Sequence, residues 1–191
     1  MELIFATHNQ HKTIEAIEIL GETFQLKNLK DIGCLTEIPE TADTLTGNAL
    51  QKARYVHEHY HCNCFADDTG LEVEALDGRP GVYSARFAGE HCSYQDNVDK
   101  LLREMEGKTN RNACFKTVVA LIIDDKEYLF EGRVDGYIVE QQRGTAGFGY
   151  DPVFLPKGFD KTFAEMGDED KNAISHRGRA MRKLVDFLKK Y

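Results

Sequence analysis

The chain has 191 residues, of which 41% are hydrophobic and 29% charged, with a formal net charge of -8. That length supports one sizeable core, or two lobes sharing a sheet, within a single domain spanning 1–191. The acidic balance excludes the broad basic field that a nucleic-acid binder needs, but leaves room for a compact basic pocket around one small anion. No apolar run approaches the roughly 18 residues of a membrane span, and Met1-Glu2-Leu3-Ile4-Phe5-Ala6 has no basic region before an apolar one. We expect a cytoplasmic protein with no membrane partner. Five cysteines at irregular spacing suit a reducing compartment and read as packing residues.

In chain order, Leu3 to Ala6 reads as a strand, followed by a polar loop, Thr7-His8-Asn9-Gln10-His11-Lys12. A helix then carries Ile14, Ile17 and Leu20 along one side. A loop of this kind brings N–H donors to a helix N-terminus and is either a phosphate site or an ordinary connection. Phe24 to Leu29 suggests a second strand, and Leu45 to Tyr60 a helix that carries Lys52. The tract His57-Glu58-His59-Tyr60-His61-Cys62-Asn63-Cys64 lacks structural zinc spacing and reads as a polar helix end running into a strand.

Strand signals return at Cys64 to Ala66 and Leu71 to Ala75, before a turn at Asp77-Gly78-Arg79-Pro80-Gly81 and a loop through Gly89. Between those strands stand Asp67 and Asp68. Neighbouring strand residues point to opposite faces, so the two carboxylates cannot do the same job. Ser93 as N-cap with Asp96 opens a helix burying Val98, Leu101, Leu102 and Met105, ended by Gly107. Ala113 to Ile123 and Glu127 to Val134 read as a hairpin, and a last helix runs from Ser175 as N-cap to the terminus. The pattern implies an α/β fold with a mixed, partly antiparallel sheet and flanking helices forming two lobes around a central cleft.

Two further clusters carry chemistry. Gly144-Thr145-Ala146-Gly147-Phe148-Gly149-Tyr150-Asp151 is either a glycine-rich turn or a mount for Phe148 and Asp151. Lys171-Asn172-Ala173-Ile174-Ser175-His176-Arg177 gathers positive charge at a helix start, where the dipole opposes it, so helix stability does not explain it, whereas an anionic or carbonyl-bearing ligand could.

Taken together the chain resembles the inosine/xanthosine triphosphate pyrophosphatases, which hydrolyse non-standard purine nucleoside triphosphates. The resemblance rests on Thr7, Asn9 and Lys12; Glu40-Thr41; Asn48-Ala49 with Lys52-Ala53-Arg54; and Ala66-Asp67-Asp68-Thr69-Gly70-Leu71. It continues through Pro80 to Arg86, Gly147 to Pro152, Ala164-Glu165 and Ser175-His176-Arg177. It implies that Thr7, His8, Asn9, Gln10, His11 and Lys12 wrap the triphosphate, that Lys52 adds a positive contact, and that Glu40 and Asp68 hold Mg2+. Asp68 is also the implied proton acceptor, with Thr69 as a hydroxyl donor where the family usually has Ser. Phe148, Gly149, Tyr150 and Asp151 are implied to contact the nucleoside, with Phe148 stacking on the base, while Lys171, His176 and Arg177 complete the base and phosphate contacts. His8 stands where many members have Gly, and Gly47 where many have Glu. A homodimer is implied as well.

The chemistry agrees. A nucleoside triphosphate carries about four negative charges, so hard oxygen ligands for a magnesium ion and several lysines are what its cleavage requires. Attack of water on the α-phosphorus in line would release a nucleoside monophosphate and pyrophosphate. The competing readings are a nucleotide-binding sensor without catalysis and a nucleotide phosphatase of different base preference.

Overall fold

The computed structural model describes residues 2–21 and 24–191. Among the described residues, five α-helices and a seven-stranded sheet form the mixed α/β fold expected. The strands run in the order β2 (Gln25–Asn28), β1 (Glu2–Phe5), β3 (Cys64–Val73), β5 (Asn112–Ile123), β6 (Lys126–Ile138) and β7 (Phe154–Pro156), with β4 (Pro80–Gly81) paired to β3. β1 is parallel to β2 and β3, whereas β4 and β7 are antiparallel to their neighbours. The helices are α1 (Gln10–Leu20), α2 (Leu45–Tyr60), α3 (Tyr94–Glu104), α4 (Asp168–Ile174) and α5 (His176–Leu188). None among the described residues is long and apolar enough to cross a membrane.

The chain divides into two compact units. Unit 1 comprises Met1–Asp68, Thr117–Gly132 and Arg177–Tyr191; unit 2 comprises Thr69–Lys116 and Arg133–His176.

Unit 1 is layered because its strands are apolar on both faces. Leu3 and Phe5 of β1, with Val119, Leu121 and Ile123 of β5, pack with Ala16 and Leu20 of α1 and Ala180, Met181 and Leu184 of α5. The alternate residues Ile4, Val118, Ala120 and Ile122 pack with Ala49, Ala53 and Val56 of α2. This period-two division between two helical layers explains why these strands read as continuous apolar runs. The β5–β6 turn holds Asp124 and Asp125 at φ 50° and 60°, as a two-residue type I′ connection requires.

Unit 2 has its own core, where Leu71, Val73, Phe115, Val134, Phe154 and Phe163 meet Val98 and Leu101 of α3 and Met105, its C-cap. The Ser93–Asp96 capping box is present in full. Gly136 is required by close approach: a Cβ there would strike the backbone of β7 and the Phe154 ring.

Three expectations need correction. On α1, Ile14 and Ile17 are 48% and 50% exposed, and the buried stripe is Thr13, Ala16 and Leu20. The helix is turned by one residue so that Ala16 fits the sheet and Lys12 and Glu15 reach unit 1's ionic cluster. The polar loop is also shorter than expected, since Asn9 caps the helix and Gln10, His11 and Lys12 form its first turn. Finally, Asp67 to Gly70 do not interrupt the sheet: β3 is one strand of 10 residues, because its buried carboxylates find partners where they stand.

Candidate functional site

In unit 1, β3 delivers its two carboxylates to different partners. Asp67, 1% exposed, accepts from Lys12 Nζ at 2.9 Å through Oδ1 and from Arg177 Nε at 3.1 Å through Oδ2. Arg177, in the first turn of α5, also pairs with Glu15 of α1. Two carboxylates thus offset the positive charge that the helix start itself disfavours. Asp68 instead accepts from Asn48 Nδ2 of α2 at 3.1 Å. One helical turn after Asn48, Lys52 pairs with Glu40 and donates to the Asp67 carbonyl at 2.7 Å.

The ionisation of this cluster follows from its crowding. Burial opposes the Asp67 charge, yet Lys12, Arg177 and Lys52 together hold its carboxyl well below the usual range. For Asp68 burial prevails, aided by Glu40 and opposed by Lys52 and Lys12, and its pKa is raised. Burial likewise lowers Lys12, despite Asp67, with repulsion from Lys52 and Arg177 adding to it. Burial works against Lys52 too, but Glu40, Asp68 and Asp67 outweigh it and raise its pKa.

The remaining phosphate-loop residues are less enclosed. Thr7 Oγ1 accepts from the Asn9 N–H at 3.1 Å, and Asn9 Oδ1 accepts from the Lys12 N–H at 3.3 Å. His8 Nε2 lies 3.0 Å from the Thr36 carbonyl, while Gln10 and His11 are exposed.

In unit 2, a second group gathers around Phe148. Asp151 Oδ2 accepts from the Phe148 N–H at 3.0 Å and from Lys171 Nζ at 2.7 Å, and that ammonium lies 5.0 Å from the Phe148 ring centroid. Tyr94, exposed at the start of α3, lies 5.8 Å from Phe148, ring to ring. Gly149 follows Phe148 at φ 62°. Tyr150 is buried, donating to the Ser84 carbonyl at 2.6 Å. His176 is also buried and stacks on Phe115 at 4.4 Å, while Thr69 is half-buried on β3.

Lys12, Glu40, Lys52, Asp68 and Arg177 thus fall in unit 1, and Thr69, Phe148, Gly149, Tyr150, Asp151, Lys171 and His176 in unit 2. Arg177 is grouped with Lys12 rather than with Lys171. Sequence reasoning gave no role to Glu15, Asn48 or Asp67. Asn48 and Lys52 at i and i+4 on a helix were the available signal, since that spacing puts an amide and an ammonium on one face.

Among the described residues, no group of three or more His, Cys, Asp or Glu side chains gathers to hold a metal ion. Glu40 and Asp68 are hard oxygen donors whose charges act on one another. Such a two-carboxylate set fits Mg2+, which is commonly held by one or two carboxylates together with substrate phosphates.

Against known proteins, the Ham1 family model matches residues 3–187. The chain belongs to the Ham1 family. It is 54% identical over 189 residues to the dITP/XTP pyrophosphatase of Flavobacterium psychrophilum, covering 99% of this chain and 100% of the relative. The Porphyromonas gingivalis protein of the same name is 55% identical over 188 residues, covering 98% and 97%. Among solved structures, the Ham1 protein of Staphylococcus aureus superposes with a TM-score of 0.90 at 36% identity, over 100% of this chain and 99% of that one. The HAM1 protein of Coxiella burnetii gives a TM-score of 0.91 at 33% identity, with both chains fully covered. The Ham1 fold is therefore shared along the chain, and both units belong to it.

Proposed function

We propose that this Ham1 chain is a nucleoside triphosphate pyrophosphatase that hydrolyses the non-standard purine nucleotides ITP, dITP and XTP to the monophosphate and pyrophosphate. The observation that carries the reading is unit 1's cluster, where Lys12, Lys52 and Arg177 are held by carboxylates beside Asp68, whose pKa is raised. The relatives named dITP/XTP pyrophosphatase support the substrate class.

Lys12 and Lys52 bind phosphate oxygens and stabilise charge on departing pyrophosphate. Asp68 accepts the proton of the attacking water, a task to which a raised carboxylate pKa is suited. Asn48 orients that carboxylate through its amide. Glu40 and Asp68 would hold Mg2+, which when bound screens phosphate charge and acts as a Lewis acid. Phe148 offers a stacking surface and Lys171 a donor to the base. We assign residues 1–191 to one pyrophosphatase domain that cleanses the nucleotide pool in the cytoplasm as a homodimer.

The test is product analysis with ITP, dITP, XTP, ATP and GTP, with magnesium and after chelation. Equal yields of monophosphate and pyrophosphate from the first three, lost on chelation, are expected. Orthophosphate would make the chain a phosphatase, and binding without product a sensor. Light scattering of the purified chain checks the dimer.

A further inference from the structure

Glu40 stands in a segment of unit 1, residues 37–42, that is neither helix nor strand, so no backbone ladder fixes where its carboxylate goes. α2 supplies the constraint. Residues at i, i+3 and i+4 on one face of that helix take three consecutive residues of the segment in reverse order. Asn48 Oδ1 accepts from the Ala42 N–H at 2.9 Å, Gln51 holds Thr41, and Lys52 pairs with Glu40 itself. Asn48 is fully buried, and its amide also donates to Asp68. The Thr41 contact is made at two points: Gln51 Oε1 accepts from the Thr41 N–H at 3.0 Å, and Nε2 donates to Thr41 Oγ1, also at 3.0 Å. Gly47 leaves room for the segment to lie this close, since a Cβ there would come within 2.6 Å of the Ala42 Cβ.

We propose that Gln51 is a positioning residue for the metal site: by gripping Thr41 at two points it fixes the spacing of the Glu40 carboxylate from Asp68. The bond from Asn48 to Ala42 does not do this alone, because one hydrogen bond permits a swing that a second pair of bonds one residue on prevents. Lys52 does not replace the grip either, since an ammonium is a point charge that receives a carboxylate from many directions. The inference rests on the proposed function, which gives Glu40 and Asp68 to Mg2+, and it deepens that same site.

Gln51→Met in the full chain tests it, because the side chain keeps its length and helix-forming tendency while both bonds are lost. Mn2+ is the probe, titrated into the protein with the free ion counted by electron paramagnetic resonance. Its dissociation constant should rise roughly 10-fold, as when hydrogen bonds that support a ligating group are removed. In a Glu40→Gln background the same substitution should change nothing further, because Gln51 acts through Glu40. Turnover of ITP should need roughly 10-fold more magnesium for half its maximum, yet reach the wild-type kcat once magnesium saturates. Wild-type Mn2+ binding in Gln51→Met, or equal weakening with and without the Glu40 carboxylate, overturns the proposal.

If the wild type binds Mn2+ no better than Glu40→Gln, the assignment of Glu40 to the metal fails, and protein labelled with 15N-lysine decides the positioning claim separately. The Lys52 ammonium resonance, displaced by Glu40→Gln, should be displaced by Gln51→Met as well; a wild-type resonance refutes the claim. Should Gln51→Met not fold, Gly47→Ala disturbs the same segment by driving a Cβ against Ala42. Mn2+ binding should again weaken, although Ala is the better helix former, and unchanged binding overturns the proposal.

Discussion

Lys12 and Asp67 are 55 positions apart in sequence, yet Nζ and Oδ1 meet at 2.9 Å. The contact ties the first turn of α1 to the middle of β3 and sets the rotation of the helix, leaving Ile14 and Ile17 in solvent. It also keeps a cation in a place where burial, Lys52 and Arg177 all oppose its charge.

Lys12→Ala should therefore weaken binding of tripolyphosphate and ITP by roughly 10- to 100-fold, the usual loss for a charge-assisted contact, and leave IMP binding nearly unchanged. Calorimetric titration of the three ligands is the check. Equal weakening of IMP would place Lys12 away from the distal phosphates. Because burial holds its pKa below the usual lysine range, the efficiency on ITP should decline on the alkaline side at a lower pH than an exposed lysine would set. Lys12→Arg, which stays charged, should move that decline upward.

Asp68→Asn should reduce turnover by roughly 10²- to 10⁴-fold, because the amide cannot accept the proton of the attacking water. It keeps the acceptor oxygen that faces Asn48 Nδ2, so the surrounding structure has no reason to rearrange. Steady-state kinetics at saturating magnesium decides, and turnover above about a tenth of wild type would remove Asp68 from the chemistry.

The same substitution should stabilise the fold near neutral pH. The folded-state pKa of Asp68 is raised above 3.8, so the proton is bound more tightly in the native state than in the unfolded chain. Stability gained from that proton is fully present below 3.8 and is lost as pH rises through the folded value, where the charged carboxylate becomes a cost. Asp68→Asn removes the cost. Its melting temperature should exceed that of the wild type at pH 7, with the gap closing as pH falls. A lower melting temperature at pH 7 would show that Lys52 and Asn48 overcompensate the burial of the charge.

Much of this arrangement was legible before the structure. The capping box at Ser93 and Asp96, the α2 limits at Leu45 and Tyr60 and the β5–β6 hairpin follow from local spacing, and local spacing is visible in a sequence. The facing of α1 was not, because Ile14 and Ile17 fit the same helical period as Thr13 and Ala16, and only the distant Asp67 and Arg177 choose between them. α4 was missed for a related reason. It is seven residues long and begins Asp168-Glu169-Asp170, a charge pattern that favours a helix N-terminus but resembles a solvated loop. For the site, it was the family resemblance that pointed to Lys12, Lys52 and Asp68. Pairing partners such as Glu15 are a tertiary property and left no local mark.

Arg177→Ala addresses the residue whose place differs most from the grouping suggested by its sequence neighbours. His176 falls in unit 2 and Arg177 in unit 1, where the guanidinium is 3% exposed and bound to both Glu15 and Asp67. Burial disfavours its charge, but those two carboxylates raise its pKa, so it stays ionised throughout the working range. Its removal leaves two carboxylates without their shared cation, and losing one member of a buried pair typically costs about 3–5 kcal/mol. Urea unfolding should show a destabilisation of that order. Adding Glu15→Gln to Arg177→Ala should recover part of it, since one of the uncompensated charges is then gone. With Lys171 and Phe148 untouched, efficiencies on ITP and ATP should fall together and their ratio should hold. A ratio that narrows while stability is kept would return Arg177 to base recognition.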